Sequence, residues 1–198
     1  GQGYDGFEVT NSKENEVFKQ FQLELGDLQR QRGILSDSLT KLSGEDSVLV
    51  REELIAIGEK SEETRIKLFK DNPDLLISKM IRLMSVVPIK EFEEIENENE
   101  RKLASYKAYR LAFKERLDFD ELGLLRTPVF KSNVLKYMNE VVPQIPDTLK
   151  NELDWILTSA ENDPVAFRYW LVTFTNEYQN SNTMGMDAVL VHLLKKYY

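Results

Sequence analysis

Apolar residues recur at spacings of three, four and seven along most of this chain, a pattern typical of helices that bury one face. Alternating β-branched stretches are scarce, and the 198 residues include only 6 Pro and 9 Gly. The pattern therefore predicts an all-α fold. Two long helical stretches, over 13–43 and 47–71, flank a short turn at 43–46 and predict an antiparallel helical hairpin.

The first long stretch carries apolar residues with heptad character. They are Phe18, Phe21, Leu25, Leu28, Leu35, Leu39 and Leu42, with an interruption at Arg32 and Gly33. The second stretch has a thinner stripe, formed by Val48, Ile55, Ile66 and Phe69. The heptad residues can close the hairpin or bind a partner helix, and they also make a homodimer through the hairpin conceivable.

Proline residues mark the start of several later helices. The pairs Asn72-Pro73, Thr127-Pro128 and Asp163-Pro164 each place a capping residue before Pro at the first helical position. Asp147, after Pro146, is predicted to cap one more helix. We expect helices over about 74–86, 103–117, 128–141, 147–160, 164–178 and 185–198, with the acidic stretch 90–102 forming a loop or a frayed helix.

The predicted elements divide the chain into three parts. Residues 1–12, which include three Gly, are expected to form an irregular lead-in from a separate upstream domain. Residues 13–72 form the hairpin. Residues 73–198 form a bundle of short antiparallel helices, without the repeat of about 34 residues that a tetratricopeptide array shows.

Composition and charge exclude several classes of function. The chain has 26 Lys and Arg against 34 Asp and Glu, a net charge of −8 that would repel a nucleic-acid backbone. No apolar run approaches the ~20 residues of a transmembrane helix. The absence of Cys excludes disulfides and thiol catalysis, and a single His excludes a His-pair metal site. Neither a Walker pattern nor GxGxxG occurs, so we predict no cofactor.

The remaining candidate chemistry is limited to one His and one carboxylate cluster. His192 lies between apolar residues of a predicted helix, where packing with one hydrogen bond is the expected role. Asp118, Asp120 and Glu121 lack the spacing of a calcium-binding loop, and Asp118 and Asp120 are expected to cap helix ends. A hydrolase that uses carboxylates alone remains open if two acidic residues from distant segments converge in a cleft.

Arg126 stands out among the charged residues, and we expect it to have a structural role and not to form part of a ligand site. It directly precedes the capped helix that begins at Thr127 and Pro128, where a half-buried guanidinium would need a carboxylate partner. Asp187 follows Gly185 at the start of the last helix and is the predicted partner. We therefore expect Arg126 and Asp187 to lie within salt-bridge distance or to be bridged through a backbone carbonyl.

Three short motifs carry a resemblance to a known family. They are LLRTPVF at 124–130, PQIPD at 143–147 and MGMDAV at 184–189, accompanied by Val191-His192 and the terminal Tyr197-Tyr198. The chain resembles, over about 60–198, the helical domain of unknown function that precedes a thioredoxin-fold domain in envelope thiol-disulfide oxidoreductases of Gram-negative bacteria. Residues 7–20 also resemble the junction that leaves a small β-rich domain in this thioredoxin-like, cytochrome c biogenesis-type family.

The resemblance implies a non-catalytic accessory or spacer domain. Its expected partners are the parent protein's own thioredoxin-like domain and protein clients, and its expected location is the periplasm or the cell envelope. The parent is expected to be a thiol-disulfide oxidoreductase, but this chain has no Cys that could take part in that chemistry. The alternative is an independent peptide-binding helical adaptor, which an exposed groove lined by Tyr109, Tyr137, Tyr169 and Trp170 would favour.

Overall fold

A computed structural model describes residues 12–198 of the chain. Within this range helices are the only regular secondary structure, which confirms the predicted all-α fold. The α-helices are α1 (Lys13–Leu39), α2 (Glu45–Asp71), α3 (Leu76–Met84), α4 (Glu98–Lys114), α5 (Leu122–Leu125), α6 (Pro128–Lys136), α7 (Pro146–Ser159), α8 (Pro164–Gln179) and α9 (Asp187–Tyr197). A π-helical segment, Tyr137–Val141, continues from α6. The lead-in predicted for 1–12 lies outside the described residues except for Ser12.

The chain divides into two compact units, the first ending at Val86 and the second beginning at Val87. The predicted division after residue 72 differs from this boundary because α3 packs on the hairpin. Glu14 of α1 accepts a hydrogen bond from the backbone N–H of Ile77 at 2.6 Å, and Glu62 of α2 accepts one from Val86 at 3.1 Å. The first unit is therefore a helical hairpin with a short third helix against it.

The hairpin of α1 and α2 confirms the prediction, but it buries little. Only Phe21 and Leu28 are buried on α1, and α2 has no buried residue. Asn72 ends α2 by donating its backbone N–H to Leu68, so the Asn72-Pro73 pair does not start a helix as predicted. The next helix, α3, begins only at Leu76, after residues in turn and extended conformations.

Local capping explains the helix starts in the second unit. Thr127 accepts a hydrogen bond from the N–H of Phe130, and Asp163 accepts two at the start of α8, as predicted. Asn97 caps α4, so the acidic stretch is a loop up to residue 97 and a helix from residue 98. The prediction for Asp147 was wrong, because α7 begins one residue earlier at Pro146 and has no side-chain cap.

The core of the second unit is built around aromatic rings. Trp170 is fully buried and its ring lies 5.9 Å from those of Phe119 and Phe130 and 5.8 Å from that of Phe174. These rings come from α6, α8 and the turn after α4. Because the rings belong to segments distant in sequence, the cluster fixes how those helices pack. No helix within residues 12–198 combines the length and apolar composition needed to cross a bilayer.

We expect Gly185→Ala to destabilise the second unit by about 1 kcal/mol, because Gly185 has a φ of +86°, which L-residues rarely adopt. An added Cβ would lie 3.5 Å from Pro146 Cγ, an ordinary contact, so the cost comes from the backbone. Gly58→Ala is the control, since it lies within α2 with open space around it. There Ala should stabilise by about 1 kcal/mol. Urea unfolding followed by circular dichroism measures both, and the same sign for both variants would contradict the explanation.

Candidate functional site

A buried carboxylate, Glu152 of α7, forms the first polar cluster of the second unit. Its oxygens accept hydrogen bonds from Arg110 Nη2 at 2.6 Å, Lys114 Nζ at 3.0 Å and Tyr137 Oη at 2.9 Å. Arg110 and Lys114 lie one turn apart on α4, and Tyr137 lies in the π-helical segment. Glu152 therefore joins α4, α7 and the π-helical segment through charged hydrogen bonds.

The surroundings of Glu152 stabilise its ionised form. Burial by itself would raise the pKa of the Glu152 carboxyl, but hydrogen bonds from Lys114 and Tyr137 and the nearby positive charges outweigh burial and lower it. Burial of Tyr137, together with the neighbouring Glu152, raises the pKa of the phenol despite Arg110. A general acid or base works best with a pKa near the working pH. A carboxylate held ionised in this way is better suited to a structural role.

Asp154 forms a second polar cluster, with residues of α9. Its Oδ1 lies 2.8 Å from His192 Nε2 and accepts a hydrogen bond from Tyr197 Oη at 2.7 Å, while its Oδ2 lies 2.8 Å from Lys196 Nζ. The expectation of one hydrogen bond for His192 is met, with a carboxylate partner that the sequence did not indicate. The cluster fixes the C-terminal helix α9 on α7.

The Asp154 cluster has part of the geometry of a carboxylate-oriented catalytic His. Such a pair needs a nucleophile or a metal at the other ring nitrogen. The other nitrogen of His192 has no hydrogen-bond partner in the part of the chain that the structure describes. Within residues 12–198, no group of three or more potential metal-binding side chains comes together. What the structure shows of this cluster is that it joins α7 to α9.

The Asp154 cluster predicts a pH dependence of stability. Burial would raise the pKa of the Asp154 carboxyl, but hydrogen bonds from Lys196, Tyr197 and His192 outweigh burial and lower it. The ionised Asp154 carboxylate therefore stabilises the folded state. This stabilisation is complete above the ordinary pKa of 3.8 and is lost as the pH falls through the lower pKa of the folded state. Asp154→Asn should therefore cost about 1 kcal/mol at neutral pH and reduce the loss of stability below about pH 4.

Urea unfolding at a series of pH values measures this dependence. Asp147→Asn is the control, because Asp147 lies on the same helix with an 89% exposed side chain. The control should keep the wild-type pH profile. An Asp154→Asn profile that runs parallel to the wild-type profile down to acid pH would contradict the assignment.

The predicted pair of Arg126 and Asp187 does not form a salt bridge. Both residues are exposed, and none of the ion pairs among residues 12–198 joins them. Arg126 is exposed at the end of α5, whereas a half-buried guanidinium was expected there. The neighbouring candidates do have structural roles. Thr127 caps α6 with Pro128 at its start, and Gly185 takes its positive φ.

The acidic residues at 118–121 have structural roles. Asp118 accepts a hydrogen bond from the backbone N–H of Asp120 at 3.1 Å, and Glu121 accepts one from Gly123 as the N-cap of α5. Asp118 closes the turn between α4 and α5, where a helix cap was expected, and the residue that caps α5 is Glu121, for which no cap was predicted.

A groove on the second unit has a volume of about 1150 Å³. Its apolar wall includes Val165, Tyr169 and Val172 of α8, which are 78%, 37% and 42% exposed. Tyr137 and Trp170 are fully buried, so the exposed groove of four aromatics that would favour a peptide adaptor is absent from the described residues. Tyr169 is the one of the four predicted aromatics that lines this groove.

The exposed apolar surface of the first unit is concentrated on the hairpin. On α2, Val48, Ile55 and Ile66 are 50%, 62% and 43% exposed and lie along one face of the helix. We call this set the α2 stripe. None of the 27 residues of α2 is buried, so the α2 stripe lies on its exposed surface.

Neither carboxylate cluster was predicted from the sequence. Only the cluster of Glu152 could have been recognised from the pattern of its helix. Glu152 occupies a core position of α7, one turn after Leu149 and one turn before Ile156, and all three are buried. A carboxylate in the middle of an apolar helix face predicts a buried ion pair. Asp154 had no comparable signal, since His192 lies 38 residues away on another helix.

Comparison of the chain with protein-family models, with curated proteins and with solved structures found no match.

Proposed function

We propose that this chain is a non-catalytic helical accessory domain that contacts a neighbouring protein domain through its hairpin. The observation on which the proposal rests is the α2 stripe, since Val48, Ile55 and Ile66 are exposed along one face of a helix that has no buried residue. The two ionic clusters support the proposal, since their carboxylates are held ionised by partners that tie helices together.

The proposed neighbour is a thioredoxin-fold redox domain in the bacterial envelope, which the accessory domain positions for contact with its clients. This part of the proposal rests on the motif resemblance. The residues of those motifs serve packing in the second unit: Leu124, Phe130 and Val189 are fully buried. They therefore maintain the shape of a domain and supply none of its redox chemistry.

The coding sequence that follows Tyr198 provides the first test. A thioredoxin-fold domain with a Cys-x-x-Cys pair is expected there, and a stop codon would contradict the redox part of the proposal. If the domain is encoded, it can be produced separately and titrated with this chain by calorimetry. Val48→Ser/Ile55→Ser/Ile66→Ser should weaken binding by tenfold or more, since each buried apolar side chain contributes about 1 kcal/mol or more.

The groove on the second unit favours a second candidate function, binding of a peptide or protein segment. Val165→Ser/Val172→Ser removes two exposed apolar side chains from that groove and serves as the matched control for the α2 stripe variant. Loss of binding with this variant, and not with the α2 stripe variant, would favour a peptide-binding adaptor and contradict contact through the hairpin.

A further inference from the structure

A groove of about 490 Å³ runs between α1 and α2 on the first unit. Its lining includes Leu28 and Leu35 of α1 and Glu53, Ala56, Ile57 and Lys60 of α2. This groove is distinct from the α2 stripe, which lies on a different face of α2. Ile34, at the rim of the groove, is 66% exposed, so apolar surface continues to the edge.

The lining of the hairpin groove is self-complementary. Glu53 and Lys60 are seven residues apart, or two helical turns, and the small residue Ala56 lies between them. A two-fold axis through the middle of the groove would place α2 antiparallel to α2 of a second copy. Glu53 would then face Lys60 of the second copy, and Lys60 would face Glu53 of the second copy.

The groove-lining face of α2 continues this charge pattern in both directions. Asp46 lies seven residues before Glu53, and Lys67 lies seven residues after Lys60. The two-fold arrangement therefore also pairs Asp46 with Lys67 of the second copy. All four side chains are on exposed residues and make no ion pair within the described part of the chain. A parallel arrangement in register would instead place like charges opposite each other.

Two leucines of α1 are also related by the proposed two-fold axis. Leu28 and Leu35 are also seven residues apart and line the same groove, so the axis would place Leu28 of one copy opposite Leu35 of the other. Apolar residues would then lie at the centre, with complementary charges at the flanks, as in helical bundles whose flanking charges select the partner and its orientation.

We propose that a second copy of this chain docks in the hairpin groove, with the two α2 helices antiparallel about an axis near Ala56 and Ile57. The product is a four-helix bundle made of two hairpins. The charge pattern selects this occupant, because its two halves complement each other under a two-fold rotation. The inference does not rest on the proposed function, since it uses a different face of α2.

Sedimentation equilibrium of the full chain tests the proposal. The wild-type chain should be a dimer in reversible exchange with monomer. Glu53→Lys and Lys60→Glu should each raise the dimer dissociation constant about tenfold, because each single change creates two like-charge contacts across the axis. The double variant Glu53→Lys/Lys60→Glu restores opposite charges in every pair and should return the constant close to the wild-type value.

Glu59→Lys is the matched control, since it makes the same change of charge at an exposed α2 position that does not line the groove. It should leave the dissociation constant unchanged. A wild-type chain that is monomeric at all concentrations, dimerisation insensitive to the single variants, or a double variant no tighter than the singles would overturn the proposal. Circular dichroism should show unchanged helicity in all four variants, since the substituted side chains are exposed.

Discussion

Trp170→Ala is expected to destabilise the second unit by about 4 kcal/mol, the largest effect of any single substitution considered for this chain. Trp170 is fully buried, and its ring contacts those of Phe119, Phe130 and Phe174 at centroid distances below 6 Å. Removal of the indole leaves a cavity that rings from three different segments cannot fill together.

Urea unfolding followed by circular dichroism measures this loss. Val165→Ala, on the same helix with 78% exposure, is the control and should change stability by less than about 0.5 kcal/mol. Trp170→Phe should cost clearly less than Ala, because the buried indole Nε1 has no hydrogen-bond partner among residues 12–198 and Phe keeps most of the ring volume. Equal losses for Phe and Ala would contradict a packing role.

Glu152→Ala is expected to cost about 3 kcal/mol, because it leaves the charges of Arg110 and Lys114 and the hydroxyl of Tyr137 without their acceptor. Tyr137 is completely buried, so water does not readily replace the lost carboxylate there. Glu152→Gln keeps an acceptor oxygen but loses the charge, so its stability should lie between that of the wild type and that of Glu152→Ala.

The control for Glu152 is Glu161→Ala, an exposed residue just beyond the same helix. It should stay within about 0.5 kcal/mol of wild type. If Glu152→Ala is no more destabilising than this control, Glu152 is not the residue that joins α4 to α7.

Much of the fold could be predicted because helix patterns and caps are local. Thr127 and Asp163 were predicted from their own short motifs, and both accept the expected hydrogen bonds. The Asn72-Pro73 pair looked equivalent in sequence, but Asn72 ends α2 there. The Asn72-Pro73 pair therefore lies at the end of α2, whereas the same kind of pair at Thr127 and Asp163 starts a helix.

The polar clusters could not be predicted to the same extent, because their partners come from distant helices. Asp154 and His192 lie on α7 and α9, and no periodicity within either helix relates them. Among the described residues no ion pair joins Arg126 to Asp187, which were also paired across distant segments on the basis of local motifs alone. Glu152 was the exception, because a carboxylate at a core position is visible in the helix pattern.

The central claim is that the α2 stripe of the hairpin contacts another protein domain while the polar clusters serve stability. Amide hydrogen exchange tests it most directly, measured on this chain alone and with the neighbouring domain present. We expect slower exchange along α2 around Val48, Ile55 and Ile66, with the amides of α7 unchanged because that helix is already packed in its own unit. Unchanged exchange along α2, at a concentration where the two proteins bind, would contradict the claim.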